Sequence, residues 1–339
     1  IMSSRIRSIV ADAPNEEQGV WARARVIKWG CLRLLIPLHT HRSFQFMPQV
    51  QTPLTRLTVA NGETLTWGVR TYVMGIINLT PDSFSGDGLG GDVASAVEQA
   101  LRFQEDGADI LDIGAESTRP GFEQVSAEEE LKRLMPALEA IASRVKLPVS
   151  VDTYKAAVAI QAVDAGAVII NDIWGLKAEL ELAQVAADTG AGLVLMHNQK
   201  GTEYANLLPD LVSSLTASVG IALQAGVPKE SIIVDPGFGF GKNPDQNLEV
   251  LNRLKLLQEI GCPILTGTSR KSTLGLLLGL PADQRVEGTA ATVALSIAGG
   301  ADIVRVHDVR EMVRVCRVTD AVVRGWRPDG WNSRKGTAS

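Results

Sequence analysis

The sequence predicts a single (β/α)8 TIM barrel with an irregular N-terminal extension, on three observations. After Thr71, short apolar β-branched runs alternate strictly with helical periods, a pattern that calls for a parallel sheet because each strand needs a crossover to reach the next. Eight such units fit within roughly 255 residues, which suits a closed barrel better than an open sheet. Most helices end in a glycine before the next strand (Gly107, Gly166, Gly190, Gly226, Gly261, Gly300), as the left-handed cap of a helix requires. The units share an architecture, not a repeated sequence.

Taken in order, strand Tyr72–Leu79 precedes a helix over Asp92–Asp106 with Asp92 as N-cap. Strand Asp109–Gly114 precedes helix Ala127–Arg144, and strand Pro148–Asp152 a helix over 155–165. Strand Val168–Ile173 leads to a helix over 179–188, and strand Gly192–His197 to one over 211–225. Ile232-Ile233-Val234 forms the centre of strand Ser231–Asp235, a buried parallel strand by composition, before a helix over 246–260. Strand Pro263–Gly267 is followed by helical stretches ending in 287–298, and strand Asp302–Val306 by a last helix over 309–324. The domain boundaries are therefore an extension over 1–68, a barrel over 69–327 and a C-terminal tail over 328–339.

The extension differs in composition. From Gln18 to Gly62 it carries Arg23, Arg25, Lys28, Arg33, Arg42 and Arg56 but no acidic residue. It reads as a flexible tail or as translation from an upstream start, with Met47 as the alternative start, ahead of an organelle transit peptide. Elsewhere the chain has the balance of a soluble globular protein, 45% hydrophobic and 21% charged. A net charge of −5 gives no basic field for nucleic acid or membrane. Cys31, Cys262 and Cys316 have no metal-ligand spacing and cannot all pair, which points to a reducing compartment, the cytoplasm, and against a zinc site. No apolar run in the sequence approaches the roughly 20 residues of a membrane span.

In such a barrel the reacting groups lie at the C-terminal strand ends and in the loops that follow. Here the ends carry Asn78, Asp112, Asp152, Asn171-Asp172, His197, Asp235, Thr268-Ser269, and Arg305 with His307. Any one of these is more simply a satisfied buried polar group, and Asp112 and Asp172 stay structural candidates; the full set on one face marks a site. The most distinctive stretch is Asp235-Pro-Gly-Phe-Gly-Phe-Gly-Lys242, a carboxylate followed by glycines that admit a ligand close to the backbone and phenylalanines that offer flat apolar faces. Asn78 opens a lid-like loop running to Gly91, and Glu116-Ser-Thr-Arg-Pro-Gly121 and Gly267-Thr-Ser-Arg-Lys-Ser272 load two more loops. Arg305, inside an apolar strand, requires a buried anion; with the loop cations it suggests a phosphate-bearing ligand.

With these residues collected, the chain closely resembles the dihydropteroate synthases, within the pterin-binding (β/α)8 family. The motifs that carry the resemblance are Met74-Gly-Ile-Ile-Asn-Leu-Thr-Pro-Asp-Ser-Phe-Ser85, Ser117-Thr-Arg-Pro-Gly121, Ser150-Val-Asp-Thr153, Ile170-Asn-Asp-Ile173, Asp235–Lys242, Gly267–Ser272 and Arg305-Val-His-Asp308. They fall in the family's order and span almost everything after residue 70. Gly86-Asp87-Gly88 departs from the commoner Asp-Gly-Gly, which alters lid geometry but removes no ligand.

The resemblance implies condensation of 6-hydroxymethyl-7,8-dihydropterin diphosphate with 4-aminobenzoate to give 7,8-dihydropteroate and diphosphate. It implies a pterin site of Asp152, Asn171, Met196, Asp235 and Lys271, and a diphosphate site of Asn78, Arg119, Arg305 and His307. It implies an aminobenzoate slot of Phe84, Thr118, Pro120, Phe240 and Ser272. Asp152, Asp235, Lys271 and Arg305 would be the catalytic set, with Mg2+ as cofactor on Asn78 and the protein a homodimer. Two rivals stand beside this: a corrinoid-linked methyltransferase, which would lack the lid and the Ser-Thr-Arg-Pro-Gly loop, and a catalytically silent pterin-barrel subunit, which would have lost Asn78, Asp152, Asp235, Lys271 or Arg305.

Overall fold

Strand residues alternate between two faces, and in this chain both faces of nearly every strand are apolar at the start, so each strand is covered on both sides. In the computed structural model, which describes residues 56–58, 64–80, 92–117 and 124–331, that demand is met by closure. The barrel strands are β3 (Tyr72–Asn78), β4 (Ile110–Gly114), β5 (Val149–Asp152), β6 (Ile169–Asp172), β7 (Gly192–Met196), β8 (Ile232–Asp235), β9 (Leu265–Thr266) and β10 (Ile303–Val306). All neighbours are parallel, in chain order from β3 to β8, with β10 between β3 and β9. A bridge between Val234 and Ile264, with Val234 N–H donating to Pro263 O at 2.9 Å, joins β8 to β9 and completes the ring.

The outward faces pack under α1 (Val93–Asp106), α2 (Ala127–Ala142), α3 (Ala156–Asp164), α4 (Glu181–Thr189), α5 (Leu207–Gln224), α6 (Pro244–Asn252), α7 (Ser272–Leu278), α8 (Val286–Ala298) and α9 (Val309–Val323). Ile113, Leu134, Leu138 and Ile141 are typical of that outer layer, each about fully buried. Asp92 caps α1 as expected, its side chain accepting from Ala94 N–H at 3.1 Å. Of the described helices, α5 alone is long and apolar enough to span a membrane by length and composition. Its apolar stripe of Leu208, Leu211, Leu215, Val219 and Ala222 is buried in the barrel's outer layer.

Two helices differ from the sequence reading. The helix α5 starts four residues earlier, at Leu207, because Pro209 falls in the first turn, where a missing N–H costs nothing. The stretch over 246–260 is two pieces: α6, started by a capping box between Asn243 and Gln246 with Pro244 at its first position, and a 3-10 segment Leu254–Ile260.

The inward faces form a second apolar cluster at the N-terminal end of the barrel: Tyr72, Met74, Ile110, Ile169, Val194, Ile233, Leu265 and Ile303. Leu57, Leu65 and Trp67 belong to the same cluster. They come from a hairpin of β1 (Arg56–Thr58) and β2 (Thr64–Thr66), in which Leu57 faces Leu65. Tyr72 hydroxyl accepts from Thr66 N–H at 2.8 Å, and its ring meets Trp67 edge-on at 5.5 Å. Gly192 leaves room for Leu57: a Cβ there would lie 3.2 Å from it. The boundary at residue 68 is therefore corrected. The barrel begins with a hairpin that plugs its lower mouth, and three-residue strands are too short to show a period. Residues 1–55 and 332–339, and with them most of the extension and the tail, lie outside the described residues.

Candidate active site

Parallel register aligns the upper inward residues into one polar layer. Asn78 pairs in register with Gly114, Gly114 with Asp152, and Asp152 with Asn171; Met196 pairs with Asp235. A side chain at Gly114 would press on Asp152, its Cβ 3.3 Å from that of the aspartate. One step below, Asp112 sits beside Ser150.

Arg305 crosses the barrel into this layer. Its Nε donates to Asp112 Oδ2 at 2.6 Å and its Nη2 to Asp152 Oδ2 at 2.7 Å; Asn171 Nδ2 donates to the same Asp112 oxygen at 3.3 Å. The buried anion that the sequence reading sought in a substrate diphosphate is here a pair of the chain's own carboxylates. Asp112, a structural candidate in the sequence, thus belongs to the site. Burial pulls the Arg305 guanidinium down, but Asp112 and Asp152 together hold its pKa above that of ordinary arginine.

Two acids stay electrostatically costly. Burial pushes Asp152 up to about 7, against the pull of Arg305 and with a further push from Asp112. Burial raises Asp235 to about 6, opposed by the Gly237 N–H, which donates to its Oδ1 at 2.7 Å, and by Lys271. Among the described residues, Asp112 Oδ1, Asp152 Oδ1 and Ser150 Oγ are buried and have no hydrogen-bond partner. Buried polar atoms without partners are rare; these three lie together on the adjacent strands β4 and β5.

The loop after β8 is shaped by contact with His197. Gly237 has φ +68°, and a Cβ there would collide with the His197 carbonyl oxygen, so no other residue fits. Lys242 turns back beneath the loop. Its buried Nζ donates to Gly237 O at 3.1 Å and Phe240 O at 3.0 Å, and lies 3.2 Å from His197 Nδ1. Burial lowers Lys242 to about 7. Burial and the Lys242 charge lower His197 to about 3, leaving a neutral imidazole. Phe238 goes into the core, 3% exposed, while Phe240 packs with Tyr154, Ile173, Trp174 and Met196 into an apolar wall at the mouth. Sequence reasoning missed the role of Lys242; a lysine closing a glycine run, with a histidine at the neighbouring strand end, was the available signal.

The loop after β9 brings Lys271 past Gly239, where a Cβ would lie 3.0 Å from the lysine Cδ, to place Nζ 4.1 Å from the Phe240 ring centre. Lys271 acts electrostatically on both Asp152 and Asp235. Arg270 faces away from this group and is ion-paired with Asp308, Nε to Oδ2 at 3.0 Å. Ser269 Oγ lies 2.9 Å from His307 Nδ1 and accepts from His307 N–H at 3.2 Å. Ser272 is exposed at the first position of α7.

Asp172 points the other way. It accepts from Trp174 N–H at 2.8 Å and Leu176 N–H at 2.6 Å, and anchors its loop. Phe84, Thr118, Arg119 and Pro120 lie outside the described residues. Glu116, near the end of the described stretch after β4, accepts from Val125 N–H at 3.0 Å and from Lys155 Nζ at 2.7 Å; Lys155 also donates to Glu130 at 2.6 Å. Among the described residues no three His, Cys, Asp or Glu side chains cluster as a metal cage.

The chain matches the model of the family described as pterin binding enzyme over residues 74–307. It is 52% identical over 258 residues to a dihydropteroate synthase of Clostridium beijerinckii, covering 76% of this chain and 96% of the relative. A crystal structure of Clostridium difficile dihydropteroate synthase in the presence of pteroic acid superposes with a TM-score of 0.73 at 46% identity, covering 76% of this chain and 98% of that one. The Xanthomonas albilineans enzyme with 4-aminobenzoic acid superposes with a TM-score of 0.75 at 42% identity, covering 81% and 100%. With its motifs in family order and its barrel shared, the chain belongs to the pterin binding enzymes, as a member of the dihydropteroate synthase family.

Proposed function

We propose that the barrel mouth condenses 6-hydroxymethyl-7,8-dihydropterin diphosphate with 4-aminobenzoate, giving 7,8-dihydropteroate and diphosphate in folate biosynthesis. The observation that carries this reading is the pair Asp152 and Asp235, both buried, both raised by burial, the first with an oxygen left without a partner. The relatives' structures, one with pteroic acid and one with 4-aminobenzoic acid, support it from the ligand side.

The amino-pyrimidine edge of a pterin is a row of donors beside a ring carbonyl. Asp152, Asp235 and the amide of Asn171 read the donors, Lys271 reads the carbonyl, and Met196 lies under the ring. A site whose buried acceptors need partners rejects analogues that lack the donors. As the bond between the exocyclic methylene carbon and the diphosphate oxygen breaks, its electron pair leaves with the diphosphate. The methylene gains positive charge, delocalised into the pterin, and the fixed negative charges of Asp152 and Asp235 stabilise it without reorganisation. The amine nitrogen of 4-aminobenzoate then forms the C–N bond and releases its proton to solvent. Arg305 holds Asp112 and Asp152 in place and adds positive potential toward the leaving group.

The diphosphate set is Asn78, Arg119, Arg305 and His307, and the aminobenzoate slot Phe84, Thr118, Pro120, Phe240 and Ser272. The donor chemistry fits a magnesium ion carried in on the diphosphate, because Asn78 offers a neutral hard oxygen and the described residues form no carboxylate cage. When bound, the ion would neutralise leaving-group charge. Leu276 and Leu277 on α7, Leu295 on α8, and Val318 and Val322 on α9 are each more than half exposed, which supports a homodimer through this face. The free buried thiols of Cys262 and Cys316 support a reducing cytoplasm. The test is diphosphate release from the pterin substrate with and without 4-aminobenzoate. Release that needs the arylamine is the expected result; none in its presence refutes the reading.

A further inference from the structure

Lys271 has an unusual foundation. The residue before it, Arg270, has φ +56°, a conformation that side-chain-bearing residues rarely adopt and that persists only where the surroundings enforce it. Both ends of that residue are gripped from the first turn of α8. Thr289 Oγ1, fully buried, accepts from Arg270 N–H at 3.1 Å. Arg285, one turn earlier, donates through Nη1 to Arg270 O at 2.9 Å and Lys271 O at 3.3 Å, and through Nε to Leu280 O at 2.9 Å. Its guanidinium lies flat against α7 at Gly275, where any Cβ would collide with it. Gly275 is thus the notch that admits Arg285.

We propose that Arg285, seated in the Gly275 notch and acting with Thr289, is a positioning residue for Lys271, fixing the turn that aims the lysine into the pterin site. It touches no substrate; it acts through the backbone of Arg270 and Lys271. A planar fork donating to three carbonyls at once is a task for arginine and not for lysine, whose ammonium is a single point. The inference rests on the pterin reading of the Lys271 site.

The experiment is a double-mutant cycle of Arg285→Met and Lys271→Met. It is read by calorimetric affinity for 6-hydroxymethyl-7,8-dihydropterin diphosphate without arylamine, and by kcat and KM with it. If Arg285 works through Lys271, Arg285→Met weakens pterin binding about tenfold in the native background and less than about threefold once Lys271 is gone, since groups acting as a unit are not additive. Gly275→Ala, which leaves every charge in place but blocks the notch, gives the same loss. Arg285→Lys recovers little of it. Equal losses from Arg285→Met in both backgrounds, or a Gly275→Ala enzyme with native affinity, overturn the proposal. Should Arg285→Met fold poorly by thermal melt, the Gly275→Ala and Arg285→Lys pair decides alone. A native enzyme that binds the pterin but releases no diphosphate would sink the reaction assigned above and leave the binding cycle intact as the test of Arg285.

Discussion

Replacing Asp152 by Asn separates what the carboxylate does for the reaction from what it does to the fold. The amide keeps the shape and, through its oxygen, an acceptor for Arg305, but removes the negative charge facing the developing cation. Loss of one preorganised electrostatic contact costs about 3–4 kcal/mol, so kcat should fall roughly a hundred- to a thousandfold. The fold should respond in the opposite sense. Asp152 ionises at about 7 in the folded chain, against 3.8 for the ordinary side chain. A raised carboxylate contributes stability at low pH that is lost as pH rises through the folded value. At pH 8 the native protein therefore carries the full cost of a buried charge, of order a few kcal/mol, and the asparagine does not. Arg305 is not orphaned, because Asp112 still accepts from it at 2.6 Å. The variant should match the native melting temperature at pH 4 and exceed it at pH 8, while turning over far more slowly. Steady-state kinetics and thermal melts at the two pH values test this. A kcat within a few-fold of native, or a variant that melts lower at pH 8, would refute the reasoning.

Three further outcomes follow from the structure. Because Asp235 and Asp152 titrate at about 6 and about 7 and both act ionised, kcat/KM for the pterin substrate should be level above about pH 8 and near half its plateau at about pH 7. It should fall as pH drops, steepening below pH 6; a limb displaced to pH 4 would contradict this. Gly237→Ala should destabilise by several kcal/mol and abolish activity, since it meets both a positive φ and the His197 carbonyl; a folded, active variant in a melt and assay would show that the loop can move aside. A chain beginning at Thr52 should keep native melting temperature and kcat, whereas Leu57→Ala should cost about 2–5 kcal/mol, as for any large buried side chain removed from a core. An unchanged denaturation midpoint for that variant would mean the hairpin adds nothing to the barrel.

The eight strands, their helices and the face that carries the chemistry were legible in the sequence, because all three depend on local pattern. A buried parallel strand is apolar on both faces, a helix shows its period and its caps, and side chains at strand ends project by alternation. That was enough to bring Asp152, Asn171, Asp235 and Arg305 to one face, while the ordered motifs named the family and with it Met196. The tertiary structure decided the pairings. Arg305 meets Asp112 and Asp152 across 193 and 153 residues of chain. Lys242 meets His197 across 45, and Arg285 reaches the carbonyls of the loop before α7 from the start of α8. Which groups meet inside a closed barrel depends on how the strands stagger as the ring closes, and the period of a single strand carries no record of that stagger. The hairpin of Leu57 and Leu65 stayed hidden for a related reason: its strands are shorter than any period, and only the open lower mouth of a finished barrel gives those side chains somewhere to be buried.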